Sequence, residues 1–143
     1  MFNLTTDNIY SLTVCLIGAV LLIIFGMVNK RYITYKRIRF EITHDLDFTE
    51  KFWGKTGYQD EKGSENAKKI LSQDSQKLLN YIENLPKSSL MRIGVPQSDC
   101  LTDISNRLMY ICQSINEKGM SEEQCSKNKA EVEEIRNKFG IKK

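Results

Sequence analysis

The chain has 143 residues and a mass of 16.6 kDa, with 21 Lys+Arg against 18 Asp+Glu, a formal net charge of +3 and 41% hydrophobic residues. Its mean hydropathy of -0.40 conceals an uneven distribution, because Ile9 to Val28 is a run of twenty residues without a charge and the remainder is strongly polar. This length holds one compact domain plus one membrane segment, which excludes a barrel enzyme, a doubly wound sheet, a multi-span transporter and a disulfide-dense mini-protein.

As a helix the run from Ile9 to Val28 extends about 30 Å, the thickness of a bilayer core. It is predicted to be a transmembrane helix. A cleaved signal peptide needs a basic start, a shorter apolar core and a small-residue cleavage site, whereas the first Lys or Arg here is Lys30. Residues 1–8 form a short tail that holds only Asp7 and the chain amine as charges. The opposite flank carries Lys30, Arg31, Lys36, Arg37 and Arg39. Cations beside a span stay in the cytoplasm. The expected location is therefore the cell (inner) membrane, single-pass, with the amino terminus outside and the carboxy-terminal domain cytoplasmic. Asn3-Leu4-Thr5 matches a glycosylation sequon and reads as chance so close to the membrane.

Five of the 21 cations and one of the 18 acids precede residue 40, so residues 40–143 carry 16 Lys+Arg against 17 Asp+Glu. A nucleic-acid binder needs a basic face, and here positive charge gathers beside the bilayer instead. Residues 29–42 are read as a basic juxtamembrane segment in which Lys30, Arg31, Lys36, Arg37 and Arg39 face lipid headgroups and Tyr32 and Tyr35 anchor at the interface. Within the span, Ser11, Cys15 and Ala19 recur at four-residue steps, with Gly18 and Gly26 beside them. Such a small-residue row lets two membrane helices approach closely.

From Ile33 to Ile42 the pattern partly alternates, and a short juxtamembrane strand and a continued helix fit it equally. Leu46, Phe48, Phe52 and Trp53 follow as an aromatic group, read as core or a lid on the core in preference to a membrane-dipping element. Gly54, Gly57 and Gly63 mark a flexible loop near residues 54–64. Beyond it the chain reads as helices. Ser64 is the expected cap of a helix carrying Ala67, Ile70, Leu71, Leu78, Leu79 and Ile82 up to Pro86. Ser88 to Ile93 places Leu90, Met91 and Ile93 together. Leu101, Ile104, Leu108, Ile111, Cys112 and Ile115 form one face of an amphipathic helix started by Ser98. After a turn at Asn116–Gly119, Ser121 caps a last helix carrying Cys125, Val132, Ile135 and Phe139, and Gly140 with Ile141 has the form of a Schellman stop. The fold class expected is mainly α: a single amino-terminal transmembrane helix followed by a three- or four-helix bundle within residues 43–143, with the juxtamembrane strand as the open alternative.

Groups able to carry chemistry are sparse. His44 is the single histidine and has no motif around it, so a nucleophile–histidine system lacks its setting. Gly54-Lys55-Thr56 resembles the end of a P-loop, but Thr49 stands where the first glycine is required. Cys100, Cys112 and Cys125 show no zinc spacing. Cys100 and Cys112 belong to one helix, about 18 Å apart. Cys112 and Cys125 can meet across a hairpin and would be a disulfide only if the domain were extracytoplasmic. No catalytic, cofactor-binding or metal residue is assigned, and no small-molecule substrate is evident. The expected function is a non-enzymatic, membrane-anchored accessory subunit, adaptor or scaffold that binds a protein partner or forms a homo-oligomer. The alternative is a holin-like or defence-type membrane-active effector that oligomerises through its membrane helix.

Overall fold

The computed structural model describes residues 6–57, 60–87, 92–116 and 118–141, with side chains from residue 9 onward. Its described elements are four helices: α1 (Thr6–Trp53), α2 (Glu61–Glu83), α3 (Ser98–Ser114) and α4 (Glu122–Lys138). The sequon at Asn3 and the pair Leu90 and Met91 lie outside the described residues.

The feature that organises the fold is the 48-residue α1, about 72 Å long at helical rise. Among the described residues it is the one helix long and apolar enough to cross a membrane. No Gly or Pro interrupts it from Met27 to Trp53. Tyr35, Ile38, Ile42, Leu46, Thr49 and Trp53 follow at steps of three and four residues and are all buried. Of the two open alternatives for Ile33 to Ile42, the continued helix is the one formed, and the described residues contain no strand. The alternation there covers only a few positions, whereas the helical stripe continues for two more turns and takes the buried contacts. The change of character at residues 28 and 42 therefore falls inside one helix. Side chains that weaken helices are satisfied internally, since the Thr13, Thr34, Thr43 and Thr49 hydroxyls each donate to the carbonyl four residues earlier.

At its far end α1 folds its own cap. Trp53 Nε1 donates to the Leu46 carbonyl at 3.0 Å, and Gly54 N donates to the Glu50 carbonyl at 2.7 Å. The α1–α2 connection is shorter than the glycines imply, because α2 begins at Glu61. Asp60 is its cap, accepting from Gly63 N at 2.9 Å, and Ser64 lies buried one turn inside the helix instead of capping it. Gly63 is small for a packing reason: a Cβ there would lie 2.6 Å from the Phe52 ring of α1.

The other helices follow the expected stripes. Ala67, Leu71 and Leu78 of α2 are buried, and α3 buries Leu101, Ile104, Leu108, Ile111 and Cys112 with Ile115 just beyond its end. Ser98 is the first residue of α3, and Gln97 precedes it as the cap position without a side-chain bond. Between α2 and α3, Ser75 Oγ and Ser105 Oγ are 2.7 Å apart and each reaches the other's backbone carbonyl. Ser121 caps α4 by accepting from Gln124 N. The helix stops as expected in a Schellman turn, with Ile141 N donating to the Arg136 carbonyl and Gly140 N to the Asn137 carbonyl. Val132, Ile135 and Phe139 turn into the shared core with the carboxy-terminal half of α1.

The α1–α2 and α3–α4 connections also meet. Gly119, at φ +87°, lies so close that a Cβ would fall 2.4 Å from the Gly57 carbonyl oxygen. Only glycine fits that backbone contact.

Candidate functional site

The basic collar separates into two groups once α1 is folded. Tyr35 is buried, its ring centroid 6.5 Å from that of Tyr81 and 6.4 Å from that of Phe139. Arg39 turns the same way and donates to the Phe139 carbonyl at 3.0 Å. These two residues tie α1 to α2 and α4, and Tyr35, expected at the membrane interface, is packed inside the domain. The reason is angular: Tyr35 shares a face with Ile42 and Leu46, and that face is covered by protein.

The remaining collar residues lie nearer the surface. Lys36 Nζ sits 4.7 Å above the Tyr32 ring, and Arg37 lies 3.8 Å from Glu41. Lys30 and Arg31 line a cavity beside Tyr81, whose hydroxyl donates to the Arg31 carbonyl at 3.1 Å. The small-residue row of α1 faces open space. Ser11, Cys15, Ala19 and Gly26 are exposed, Gly18 is partly so, and a Cβ at either glycine would meet nothing within 4 Å.

The cysteines are all free thiols. Cys112 Sγ donates to the Lys68 carbonyl of α2 at 3.2 Å, and burial pushes its thiol above the ordinary range. Cys125 lines a crevice with Gly54, Lys55, Thr56 and Lys129. His44 is exposed, 3.3 Å from Asp45 and stacked on Phe40. Gly54-Lys55-Thr56 leaves the end of α1 without the strand-to-helix setting that phosphate binding requires.

Two polar groups that hydrophobic periodicity passed over hold the helices together. Asp74 is fully buried on α2, facing α1. Its Oδ1 lies 3.2 Å from Lys77 Nζ, which also reaches Glu41 of α1 at 3.4 Å, while Oδ2 has no partner. Asp45 faces it from α1. Burial foremost, with repulsion from Asp45 and against the pull of Lys77, raises the Asp74 carboxyl from 3.8 to about 6. Protonated, Asp74 becomes a donor and Asp45 the acceptor opposite. Lys77, held by both carboxylates, has its ammonium pKa raised against the opposing effect of burial. One signal in the sequence pointed to this site: Asp74 stands between Leu71 and Leu78 on the apolar stripe, where a charge is out of place.

The second group is Asn128 of α4, also fully buried. Its Nδ2 donates to the Trp53 carbonyl at 2.9 Å and lies 2.8 Å from Ser114 Oγ, and its Oδ1 accepts from Gln124 at 3.1 Å. Asn128 thereby caps the last carbonyl of α1 from another helix.

No protein-family model, curated protein or solved structure matches this chain.

Proposed function

We propose that the protein is a single-pass, membrane-anchored interaction protein without enzymatic activity, which holds a helical domain at the cytoplasmic face and presents one side of α1 to a second copy or a partner protein. The observation that carries this reading is the division of α1. From Ile9 to Met27 its large apolar side chains lie exposed except for the partly covered Ile24, Phe25 being 70% exposed, while from Tyr35 to Trp53 the same helix is a core element of the domain. Uncovered apolar surface of that extent calls for lipid. An unbroken helix joins anchor and domain without a linker, so the domain takes its orientation from the membrane. The cations after the span favour a cytoplasmic domain.

Support for the interaction role comes from the opposite side of α1. Ile33, Phe40 and Phe48 are exposed there, Phe40 at 71%, away from the stripe that packs on α2 and α4. Ala19, Gly26, Ile33 and Phe40 succeed one another at seven-residue intervals. A seven-residue apolar spacing keeps one face toward a partner helix in a left-handed coil. The membrane row and the exposed aromatics thus form one continuous candidate seam.

A photoreactive amino acid placed at Phe40 in the full chain tests this reading. In native membranes it is expected to yield an adduct, at twice the chain mass for a second copy or at another mass for a partner, while the same group at Gln73, exposed on α2, yields none. Absence of an adduct at both Phe40 and Phe48, with a lone monomer in mild detergent, would overturn the interaction role.

A further inference from the structure

Where the apolar half of α1 ends, the chain between α2 and α3 returns to it. Val95 N donates to the Arg92 carbonyl at 2.9 Å, which closes a tight turn with Ile93 and Gly94 at its tip. Gly94 stands there at φ +79°, a backbone conformation that suits glycine at the tip of a turn. A Cβ at this position would also fall 2.9 Å from the Tyr32 ring, so the turn is seated directly on α1. Arg92 is turned back into the domain, its Nε donating to the Pro86 carbonyl at 2.7 Å and its Nη1 to Ser98 Oγ at 3.0 Å. The turn therefore presents Ile93, which is 63% exposed, in place of its charged neighbour.

Turn tips are dominated by Gly, Pro, Asn, Asp and Ser, although one exposed Ile is ordinary on a soluble surface. What sets Ile93 apart is its level along α1. With Gly94 it lines an open groove of about 340 Å³ whose other walls are Phe25, Val28, Asn29 and Tyr32, and among the described residues no charged side chain lines it. Phe25 and Val28 belong to the last turn of the apolar run, whose helical length of about 30 Å matches the hydrocarbon core. At whatever depth that turn is immersed, Ile93 lies beside it, and the Tyr32 ring follows at the interface. The lipid-facing surface of the span thus continues without a break onto Ile93. A second copy docked along Gly26 and Ile33 would lie about a third of a turn away around α1 and leave Ile93 uncovered.

We propose that the turn at residues 92–95 is a second membrane contact, with the Ile93 side chain inserted among the upper acyl chains of the bilayer beside Phe25 and Val28. The proposal rests on the membrane-anchor reading above and adds to it a contact made by the helical domain itself. A single span leaves the tilt of the domain unset, whereas an apolar contact on one side of α1 holds that side of the domain against the bilayer.

The test places an aliphatic diazirine amino acid at Ile93, at Leu16 within the span, or at Glu123, exposed at the start of α4 beside the far end of α1. Each full-length protein is illuminated in vesicles of equal phosphatidylcholine and phosphatidylglycerol and weighed intact. Positions 93 and 16 are both expected to yield the chain plus one phospholipid, several-fold above position 123, and fragmentation is expected to place the new bond of the position 93 adduct on an acyl chain. Lipid adducts at position 93 no more frequent than at position 123, a bond confined to the headgroup, or a product at twice the chain mass would overturn the inserted turn. Lipid captured at position 16 but not at position 93 overturns the second contact alone, and lipid captured at neither overturns the anchor reading with it.

Discussion

Replacing Asp74 with Asn is expected to stabilise the protein at about pH 8 by on the order of 3 kcal/mol and to leave its stability at about pH 4 nearly unchanged. The carboxyl titrates at about 6 in the folded chain against 3.8 when unperturbed. The folded state therefore binds a proton that the unfolded chain has released between these values. This group's contribution is most favourable below about pH 4 and is lost as pH rises through about 6. Asn retains an acceptor for Lys77 and gains a donor toward Asp45, so the packing is kept while the buried charge is removed. Urea unfolding of the detergent-solubilised full chain, followed by helical circular dichroism at both pH values, checks this. A variant no more stable than wild type at about pH 8, with the same loss between the two pH values, would show that Asp74 stays ionised and paired throughout. The pair joins α1 to α2, so its titration acts on the contact between the long helix and the domain.

The opposite sign is expected at Asn128. Asn128→Leu keeps the approximate volume but removes the donor to the Trp53 carbonyl, leaving a buried acceptor at the end of α1 unpaired. The cost of one such orphan is about 1–3 kcal/mol, and the loss of the Ser114 and Gln124 contacts places the expected destabilisation near the top of that range. Trp53 is the single tryptophan in the chain. Its emission reports on this end of α1 directly and is expected to shift toward a solvent-exposed value at lower urea than the helical signal. Coincident transitions at the wild-type midpoint would contradict the capping role.

Helix identity was legible in the sequence where apolar residues recur at helical spacing. All six expected positions from Leu101 to Ile115 are buried, as are Cys125, Val132, Ile135 and Phe139. The pattern left strand and helix open where two periods overlapped. Ile33, Tyr35 and Arg37 alternate like a strand only because Tyr35 belongs to the core stripe and Ile33 to the opposite face of the same helix. Helix starts were less legible than helix bodies. Ser64 is a favourable cap residue, but Asp60 takes the cap because Gly63 must pass beneath the Phe52 ring, a tertiary constraint absent from local sequence. The collar shows the same limit. Seven neighbouring residues have interfacial chemistry, and the rotation of α1 against α2 and α4 directs Tyr35 and Arg39 inward while Lys30 and Arg31 face the cavity where the apolar half of α1 ends. Asp74 was marked only as a charge out of place on the apolar stripe between Leu71 and Leu78, and its role becomes readable only when its partners across the interface are known.

Everything proposed for this protein depends on α1 acting as a membrane anchor that holds the helical domain in the cytoplasm. The most direct measurement is membrane-impermeant maleimide labelling of a Gln73→Cys variant in a cysteine-free background, in intact and permeabilised cells, after alkaline washing of the membranes. Position 73 is exposed on α2, so burial does not hide the thiol. The expected result is a chain that remains in the washed membranes and is labelled only after permeabilisation. Labelling in intact cells, or recovery of the chain in the wash, would contradict the anchored, cytoplasmic arrangement.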